Sequence, residues 1–450
     1  MSSQGEEMPT LTFDVIQEQA IAACISLENR LVTVSGEAGT GKTTIIRTVC
    51  EQLNELGISF ALAAPTGKAA RRIREATGFP ATTLHKLLEF NRPDIDNETG
   101  DAMSASRPNR TAINPLELSI VLVDEYAMVS TALHRDLVAA LGKGRLRLFG
   151  DIRQLPPIEN EKLADPTSPF NKCLQMRNSF VLERVFRQAE GNGILEAARA
   201  INRGSIFAQN SDVRIVSHPS MVMKLYEHVR LDPLVWASLN RQIITPGRKS
   251  DVGSIKLNSA LQTIINPEKI NATILPRHNW VKNETVIASI GDKVVCNANI
   301  YDLRDWSERF ERWEDDATPY WESFIPVPET KQLLNGEIGI VRDIGVDSTI
   351  EIDVGDRIVE IPPTITEYSP KRRIIFNADH RRNIELAYAL TTHKCQGSEY
   401  EHVAYVMASA VFYNLSRQNF YTGVSRARKS VTIFTDQRAL AQSIRNVKRV

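Results

Sequence analysis

Short runs of aliphatic and β-branched residues recur in the amino-terminal part of the chain, and each run ends in polar or turn-forming residues. These runs occupy residues 31–34 (LVTV), 58–65 (ISFALAAP), 119–125 (SIVLVDE) and 145–151 (RLRLFGD). Nearly continuous apolar strands are typical of a parallel sheet that helices cover on both faces. The pattern therefore predicts an α/β domain in which ligands bind at the carboxyl ends of the strands.

A second unit with the same pattern begins after about residue 178. Residues 193–204 (GILEAARAINRG) have helical periodicity, and residues 235–246, 403–408 and 430–436 have the composition of strands. We expect a second α/β domain here.

Two segments interrupt these domains. Residues 90–115 are polar and rich in turn formers, which predicts an inserted hairpin. In residues 298–373 apolar and polar positions alternate between turns, as in small antiparallel barrels. The expected organisation is a first α/β domain of residues 1–89 and 116–179, a hairpin of residues 90–115, a second α/β domain of residues 180–297 and 374–450, and a β module of residues 298–373.

The composition is that of an ordinary globular protein, since 42% of the 450 residues are hydrophobic and 24% are charged. Lys and Arg together number 54, as do Asp and Glu, so nucleic-acid binding would require a local basic surface. No run approaches about 18 apolar residues, the length of a membrane span. The five cysteines are scattered without a C-x-x-C pair, which favours reduced thiols and a cytoplasmic protein.

The first predicted strand leads into a loop that fits the pattern G-x-x-x-x-G-K-[ST]. This P-loop consists of Gly36, Glu37, Ala38, Gly39, Thr40, Gly41, Lys42 and Thr43, and Thr44 follows it. In such a loop backbone N–H groups surround nucleotide phosphates, the lysine reaches the β and γ oxygens, and the threonine binds Mg²⁺. We expect residues 36–44 to bind the nucleotide, with Lys42 as a catalytic cation and Thr43 as a metal ligand.

Asp124 and Glu125 directly follow the apolar run VLV. A buried strand can deliver one carboxylate to the metal and the next to an attacking water. Alone this signal is weak, but together with the P-loop it predicts an NTPase. We expect Asp124 to bind Mg²⁺ and Glu125 to act as the base.

Residues 124–128 (DEYAM) and 150–157 (GDIRQLPP) resemble the second and third motifs of superfamily 1 helicases, in the RecD-like branch that includes the phage Dda helicases. Further matching segments follow in the expected order and leave out only the two inserts. They are residues 64–70 (APTGKAA), 82–85 (TTLH), 182–188 (LERVFRQ), 245–249 (TPGRK), 392–399 (THKCQGSE) and 421–428 (YTGVSRAR).

The resemblance implies two RecA-like domains with ATP and Mg²⁺ bound between them. It implies that Gln19 reads the adenine, that Gln154 orients water or senses the γ-phosphate, and that Glu399 belongs to the ATP site. Arg187 and Arg426 would be arginine fingers that stabilise charge on the leaving phosphate.

The resemblance also implies a DNA groove across both domains. Pro65, Thr66, Lys68 and His85 would contact the strand from one side, and Thr392 and His393 from the other. Beside the first of these motifs, residues 67–74 (GKAARRIR) carry four positive charges. Such a run is usually a solvated helix face.

In the resembling family a strand-separating pin occupies the place of residues 90–115. Asn97, Glu98, Thr99 and Gly100 are the expected tip of such a hairpin, and a surface loop is the alternative. Residues 302–321 contain Trp306, Trp313 and Trp321 among acidic residues, which argues against phosphate binding. A covering helix or a protein-docking surface are the two interpretations of this segment.

The resemblance favours an ATP-dependent DNA helicase that moves 5′ to 3′, with the direction implied by the family alone. Its expected partners are single-stranded DNA, single/double-strand junctions, and replication or recombination proteins. We expect a monomer without membrane contact, in a bacterial or phage-infected cell. Two alternatives stay open: a nucleotide-gated clamp that binds or anneals single strands without unwinding, and a P-loop phosphotransferase.

Overall fold

The computed structural model describes residues 13–90, 107–157, 168–184, 193–276, 286–300, 302–304, 328–369 and 374–446. Several predictions lie outside these residues: the role of Arg187, the pin tip at residues 97–100, and the environment of Trp306, Trp313 and Trp321.

The first α/β domain is built on a six-stranded sheet. Its strands are β1 (Leu31–Gly36), β2 (Phe60–Ala64), β3 (Ala81–Thr83), β4 (Ile120–Val123), β5 (Arg145–Gly150) and β6 (Ser179–Leu182). They are parallel and lie in the order β3-β2-β4-β5-β1-β6. Its helices are α1 (Val15–Ile25), α2 (Lys42–Glu55), α3 (Gly67–Thr77), α4 (Leu84–Leu87), α5 (Thr131–Ala140) and α6 (Pro169–Leu174).

Strand β4 shows why its sequence is almost entirely apolar. Val121 and Val123 pack in one core with residues of α5, whereas Ile120 and Leu122 pack in another with residues of α1 and α2. Successive side chains of a strand point to opposite faces, so both faces of this sheet are buried. The predicted parallel sheet with helices on both faces is confirmed.

The second α/β domain has a five-stranded parallel sheet. Its strands are β7 (Val213–Ser217), β8 (Arg241–Thr245), β18 (Ala389–Thr391), β19 (Tyr400–Met407) and β20 (Ala427–Thr435). They lie in the order β18-β8-β19-β20-β7. The helices are α7 (Gly193–Arg203), α8 (Met221–Arg230), α9 (Pro233–Ala237), α10 (Ser254–Ile265), α11 (Arg417–Val424) and α12 (Gln437–Arg445).

The β module is an antiparallel sheet in the order β14-β13-β12-β11-β17, formed by β11 (Lys293–Cys296), β12 (Ile338–Ile344), β13 (Ile350–Asp353), β14 (Ile358–Ile361) and β17 (Ile384–Leu386). Two hairpins flank it, β9 (Thr273–Leu275) with β10 (Val286–Ala288) and β15 (Ile365–Ser369) with β16 (Ile374–Ala378). Short 3₁₀ helices span Tyr126–Met128, Glu329–Lys331, His380–Asn383 and Ser409–Asn414. Module residues such as Val294 share one hydrophobic core with Ile244 of the second domain.

The structure shifts three expected boundaries. Strand β6 pairs with β1, so the first domain continues through Leu182 rather than ending at residue 179. The antiparallel sheet includes β11 and β17, so it extends beyond residues 298–373 on both sides. Residues 235–246 are not one strand, because Asp232 caps α9 there and β8 begins only at Arg241.

No described helix is long and apolar enough to span a membrane. All five cysteines are buried and free of disulfides.

Candidate nucleotide site and nucleic-acid interface

Three neighbouring strands of the first sheet deliver the predicted nucleotide-site segments to one edge. β1 leads into the P-loop, β4 ends just before Asp124, and β5 ends just before Asp151. Because β4, β5 and β1 are parallel neighbours, their carboxyl ends meet at the same edge of the sheet. The fold therefore brings together segments that lie more than a hundred residues apart in the chain.

The P-loop has the backbone conformation that its glycines allow. Gly39 and Gly41 have φ angles of 84° and 85°, in the left-handed region that favours glycine. Lys42 begins α2, and its Nζ donates to the carbonyls of Gly36 and Glu37 at 2.7 and 2.9 Å. An anion at this helix amino terminus would meet backbone N–H groups and the Lys42 ammonium. The first turn of α2 also contains Thr43 and Thr44.

The glutamine that lies beside the P-loop is Gln17, and not the predicted Gln19. Gln17 is buried, and its Nε2 donates to the carbonyl of Thr40 at 3.1 Å. Gln19 is exposed on α1. Asp14 and Gln17 form a capping box at the start of α1. The D-x-x-Q spacing of that box is the sequence signal that identifies the correct glutamine.

The two carboxylates after β4 fit a divalent cation. Burial, and next the negative charge of Glu125, raise the pKa of Asp124 above its ordinary value. Glu125 has a φ angle of 51°, and its buried Oε2 has no hydrogen-bond partner among the described residues. Two adjacent, incompletely compensated carboxylates suit a Mg²⁺ ion and its water ligands. The residues that would hold the ion are the predicted Asp124 and Thr43.

Residues 151–155, which follow β5, are held by the second domain. Gln396 Nε2 donates to the carbonyl of Leu155 at 2.7 Å, and the Leu155 N–H donates to Thr422 Oγ1 at 2.9 Å. Within this segment Gln154 is buried, and its Oε1 has no hydrogen-bond partner in the part of the chain that is described. Such an acceptor can receive a hydrogen bond from the attacking water, so the predicted orienting role of Gln154 stays a prediction.

Glu37 of the P-loop has charged partners that sequence reasoning missed. Its buried carboxylate pairs with Arg153, and with Arg199 of α7 at 3.0 Å. Arg199 belongs to the second domain, so this ion pair also crosses between the domains. No local pattern in the sequence indicates it.

Arg426 lies where the second domain meets residues 151–155, directly after the segment that contains Thr422. It is buried and donates to the carbonyls of Thr422 and Ser398 and to Ser425 Oγ. Its bonds are thus made within the second domain. Its role as an arginine finger stays a prediction, as does that of Arg187.

Glu399 forms ion pairs with Arg72 of α3 at 2.5 Å and with Arg428 at 2.6 Å. Burial raises the pKa of Glu399, but Arg72 and Arg428 outweigh it and bring the pKa to about 2. These contacts join Glu399 to the first domain through α3. The predicted contact of Glu399 with ATP stays a prediction.

The predicted DNA-contacting residues of the first domain follow β2 and β3. Pro65 and Thr66 follow β2, and Thr66 caps α3 by accepting a hydrogen bond from the Ala69 N–H. Lys68 Nζ lies 5.8 Å from the centre of the Tyr400 ring, and burial lowers its pKa. Lys68 therefore faces the second domain. His85 is exposed on α4, and its ring packs on Phe90 at 4.9 Å.

Thr392, a predicted DNA contact, does not expose its side chain to a strand. Thr392 is completely buried, and its hydroxyl donates to the carbonyl of Thr245 on the neighbouring strand. His393 is half-buried in the turn that follows β18.

Contrary to expectation, the basic run of α3 is not wholly solvated: Lys68, Arg71 and Arg72 are partly buried, and Arg74 is exposed. Arg71 forms ion pairs with Glu337 at 3.0 Å and with Asp356, both in the β module. Beside these pairs a cavity of about 130 Å³ separates α3 and β3 from the module. Its walls include Arg71, Arg74, Thr82, Lys86, Gln332 and Arg357.

Known proteins resemble the chain along most of its length. An AAA domain family matches residues 12–217, and the UvrD-like helicase C-terminal domain matches residues 386–434. The ATP-dependent RecD2 DNA helicase of Deinococcus radiodurans is 29% identical over 426 residues, which is 92% of this chain and 48% of that protein. The RecBCD enzyme subunit RecD of Mycolicibacterium smegmatis is 28% identical over 93% of this chain and 70% of its own length.

Among solved structures, the Pif1 helicase from Bacteroides in complex with ADP-AlF3 and ssDNA has the same fold. It superimposes with a TM-score of 0.54 and 18% identity, over 94% of this chain and 92% of that one.

Proposed function

We propose that the chain is an ATP-dependent DNA helicase of the RecD-like branch of superfamily 1, and its similarity to the RecD2 and RecD helicases supports this proposal. It moves 5′ to 3′ along single-stranded DNA and separates duplex strands. The observation that carries this proposal is the pair of hydrogen bonds by which the second domain contacts residues 151–155 beside the P-loop. A nucleotide bound there contacts both domains, so its hydrolysis can change how they pack.

The residues of the site divide the hydrolysis of ATP among them. Lys42 and the P-loop amides bind the phosphates. Thr43 and Asp124 would hold a Mg²⁺ ion, which would supply positive charge beside the phosphate oxygens. Glu125 accepts a proton from the attacking water. In the proposal, Gln154 orients this water. Arg187 and Arg426 stabilise charge on the leaving phosphate.

The strand lies across both domains in this proposal. Pro65, Thr66, Lys68, His85 and His393 remain its candidate contacts. Contacts with phosphates and base faces bind DNA without reading its sequence, which suits a motor. The ssDNA in the Bacteroides Pif1 complex supports this class of ligand.

Strand separation also needs an obstacle at the entrance to the groove, because each base-pair step lost costs on average about 1.4 kcal/mol of stacking. Phe90, at the start of the 90–115 insert, forms an antiparallel bridge with Pro108 within the same insert. Phe90 also packs on His85. The insert is thus tethered beside a proposed DNA contact, and we propose it as the pin.

The test is ATP hydrolysis with and without oligo-dT, together with unwinding of 5′-tailed, 3′-tailed and blunt duplexes. We expect DNA-stimulated hydrolysis and unwinding of the 5′-tailed duplex alone. Stimulation without unwinding would favour the clamp or annealing alternative, and hydrolysis indifferent to DNA would favour a phosphotransferase. Replacement of residues 92–112 by a Gly/Ser linker should reduce unwinding while hydrolysis stays near wild type.

The chain spans about half the length of the RecD2 helicase it matches and about 70% of the RecD subunit. The activity and partners of those whole proteins are therefore proposals for this chain. We propose that it acts as a monomer on single strands and junctions, alongside replication or recombination proteins. The buried, unbridged cysteines support a reducing, cytoplasmic setting.

A further inference from the structure

A buried tyrosine hydroxyl crosses between the two domains beside the P-loop. Tyr421 of α11 is 2% exposed, and its hydroxyl donates to Asp151 Oδ2 at 2.6 Å. The other carboxylate oxygen of Asp151 accepts a hydrogen bond from the Arg153 N–H at 3.0 Å. Both oxygens of this buried carboxylate thus have a donor, one from each domain.

The position of Asp151 makes its orientation important. It directly follows β5, one strand away from the P-loop, and begins the segment that contains Gln154. Burial raises the pKa of Asp151, and the charge of Lys42 opposes that rise. A rotation of this carboxylate would therefore change the field around Lys42 and move the backbone that carries Gln154.

Tyr421 and Arg426 belong to one continuous segment of the second domain. Tyr421 lies on α11, which ends at Val424, and Arg426 follows in the next turn. Arg426 is tied to this same segment by the hydrogen bond from its Nε to the carbonyl of Thr422 at 3.0 Å. The hydrogen bond to Asp151 therefore fixes the arginine-bearing segment relative to residues 151–155.

We propose that Tyr421 is a positioning residue for ATP hydrolysis: its hydroxyl holds Asp151 and, through α11, sets Arg426 in register with the first domain. The inference rests on the proposed function for the role of Arg426. This role requires no contact between Tyr421 and the nucleotide. Loss of Tyr421 should slow turnover and leave ATP binding largely intact.

A second buried tyrosine supplies the matched control. Tyr405 of β19 is 1% exposed, and its hydroxyl donates to Asn419 Oδ1 of α11 at 3.0 Å. Each tyrosine thus makes one hydrogen bond that involves α11. The bond of Tyr421 reaches the first domain, whereas the bond of Tyr405 stays within the second domain. Gly423 permits this packing, because a Cβ there would collide with the Tyr405 ring.

The experiment compares Tyr421→Phe with Tyr405→Phe, each of which loses one hydroxyl. The kcat and KM for ATP are measured with and without oligo-dT, and the melting temperature is measured alongside. We expect Tyr421→Phe to lower kcat by about tenfold or more, since hydrogen bonds to charged groups have about this effect, while KM changes by less than about twofold. Tyr405→Phe should retain kcat near wild type, even where its melting temperature falls.

A double-mutant cycle with Asp151→Ala completes the test. When Asp151→Ala is already present, the loss of the Tyr421 hydroxyl should have no further effect on kcat. Equal kcat in the two Tyr→Phe variants would overturn the proposal, and so would independent, multiplicative losses in the cycle. If wild-type hydrolysis ignores DNA, the helicase proposal fails, while the same comparisons on DNA-independent turnover still decide the role of Tyr421.

Discussion

The carboxyl edge of the first sheet has two halves that are held in different ways. In the nucleotide half, which follows β1, β4 and β5, Lys42 donates to carbonyls of its own loop, and the Glu125 backbone N–H donates to Asp124 Oδ1. In the α3 half, which follows β2 and β3, the basic side chains reach other modules. Arg71 pairs with Glu337 of the β module, and Arg72 with Glu399 of the second domain.

This difference separates chemistry from assembly. In the nucleotide half, neighbouring strands and their own loops place Lys42, Asp124 and Glu125. The second domain holds residues 151–155 and Glu37 in addition. The α3 half depends on contacts with residues 266 and 327 positions away in the chain. Substitutions in the first half should therefore change turnover, and those in the second should change how the modules are held together.

The largest effect is expected from Lys42→Ala and Glu125→Gln. The first removes positive charge from the phosphate site, and the second removes the carboxylate that polarises water, so hydrolysis should become undetectable in both. ATPase assays with oligo-dT measure this, and DNA affinity should largely survive in Glu125→Gln. Near-normal hydrolysis by Glu125→Gln would show that another residue is the base.

Arg426→Ala should lower turnover by about a thousandfold or more, as loss of an arginine finger does, with a smaller effect on nucleotide affinity. Arg428→Ala is the control, because Arg428 is two residues away, half-exposed, and paired only with Glu399 among the described residues. Arg187→Ala should match Arg426→Ala. Similar turnover in the Arg426 and Arg428 variants would remove Arg426 from the nucleotide site.

Gln17→Ala should lower kcat/KM for ATP by about tenfold, because the P-loop loses the hydrogen bond from the buried Gln17 side chain to the carbonyl of Thr40. Gln19→Ala should be silent, since Gln19 is exposed. Steady-state kinetics of this pair test the assignment of the glutamine directly. If Gln19→Ala lowered kcat/KM and Gln17→Ala did not, Gln19 would be the glutamine of the nucleotide site.

How far the sequence predicts the site follows the same division. The P-loop was predictable because its spacing acts within one strand, loop and helix, whereas the choice of Gln17 over Gln19 depended on a capping box. Thr392 was misplaced because its burial depends on packing against Thr245, which lies far away in the chain. The basic run of α3 was misread because its acidic partners belong to other modules.

Acidic pH should lower the free energy of unfolding by protonating Glu399, which pairs with Arg72 of α3. The pKa of Glu399 is lowered from 4.5 to about 2 in the folded protein, so its stabilisation is present above pH 4.5 and is lost as the pH falls toward 2. This loss amounts to at most about 3 kcal/mol in the free energy of unfolding. Urea unfolding at several acidic pH values should show a flatter pH dependence for Glu399→Gln than for wild type.

Glu401→Gln is the matched control for that series. Glu401 pairs with Lys429 at 3.0 Å on the surface, where solvent screens the interaction. The Glu401→Gln variant should show the same pH dependence of the free energy of unfolding as wild type. Equal flattening in both variants would mean that Glu399 gains nothing from its contact with Arg72.

The smallest effect is expected from Arg71→Ala, which tests whether α3 and the β module hold each other. Arg71 is 21% exposed and reaches Glu337, a carboxylate that is 7% exposed and also paired with Arg357. Because Arg357 still compensates Glu337, the loss should lower the free energy of unfolding by only about 1 kcal/mol. Arg47→Ala is the control, since Arg47 pairs with Glu51 within a single helix at the surface. In urea unfolding, the free energy of unfolding should be lower for Arg71→Ala than for Arg47→Ala. Equal values for the two variants would show that the module contact contributes nothing beyond an ordinary surface ion pair.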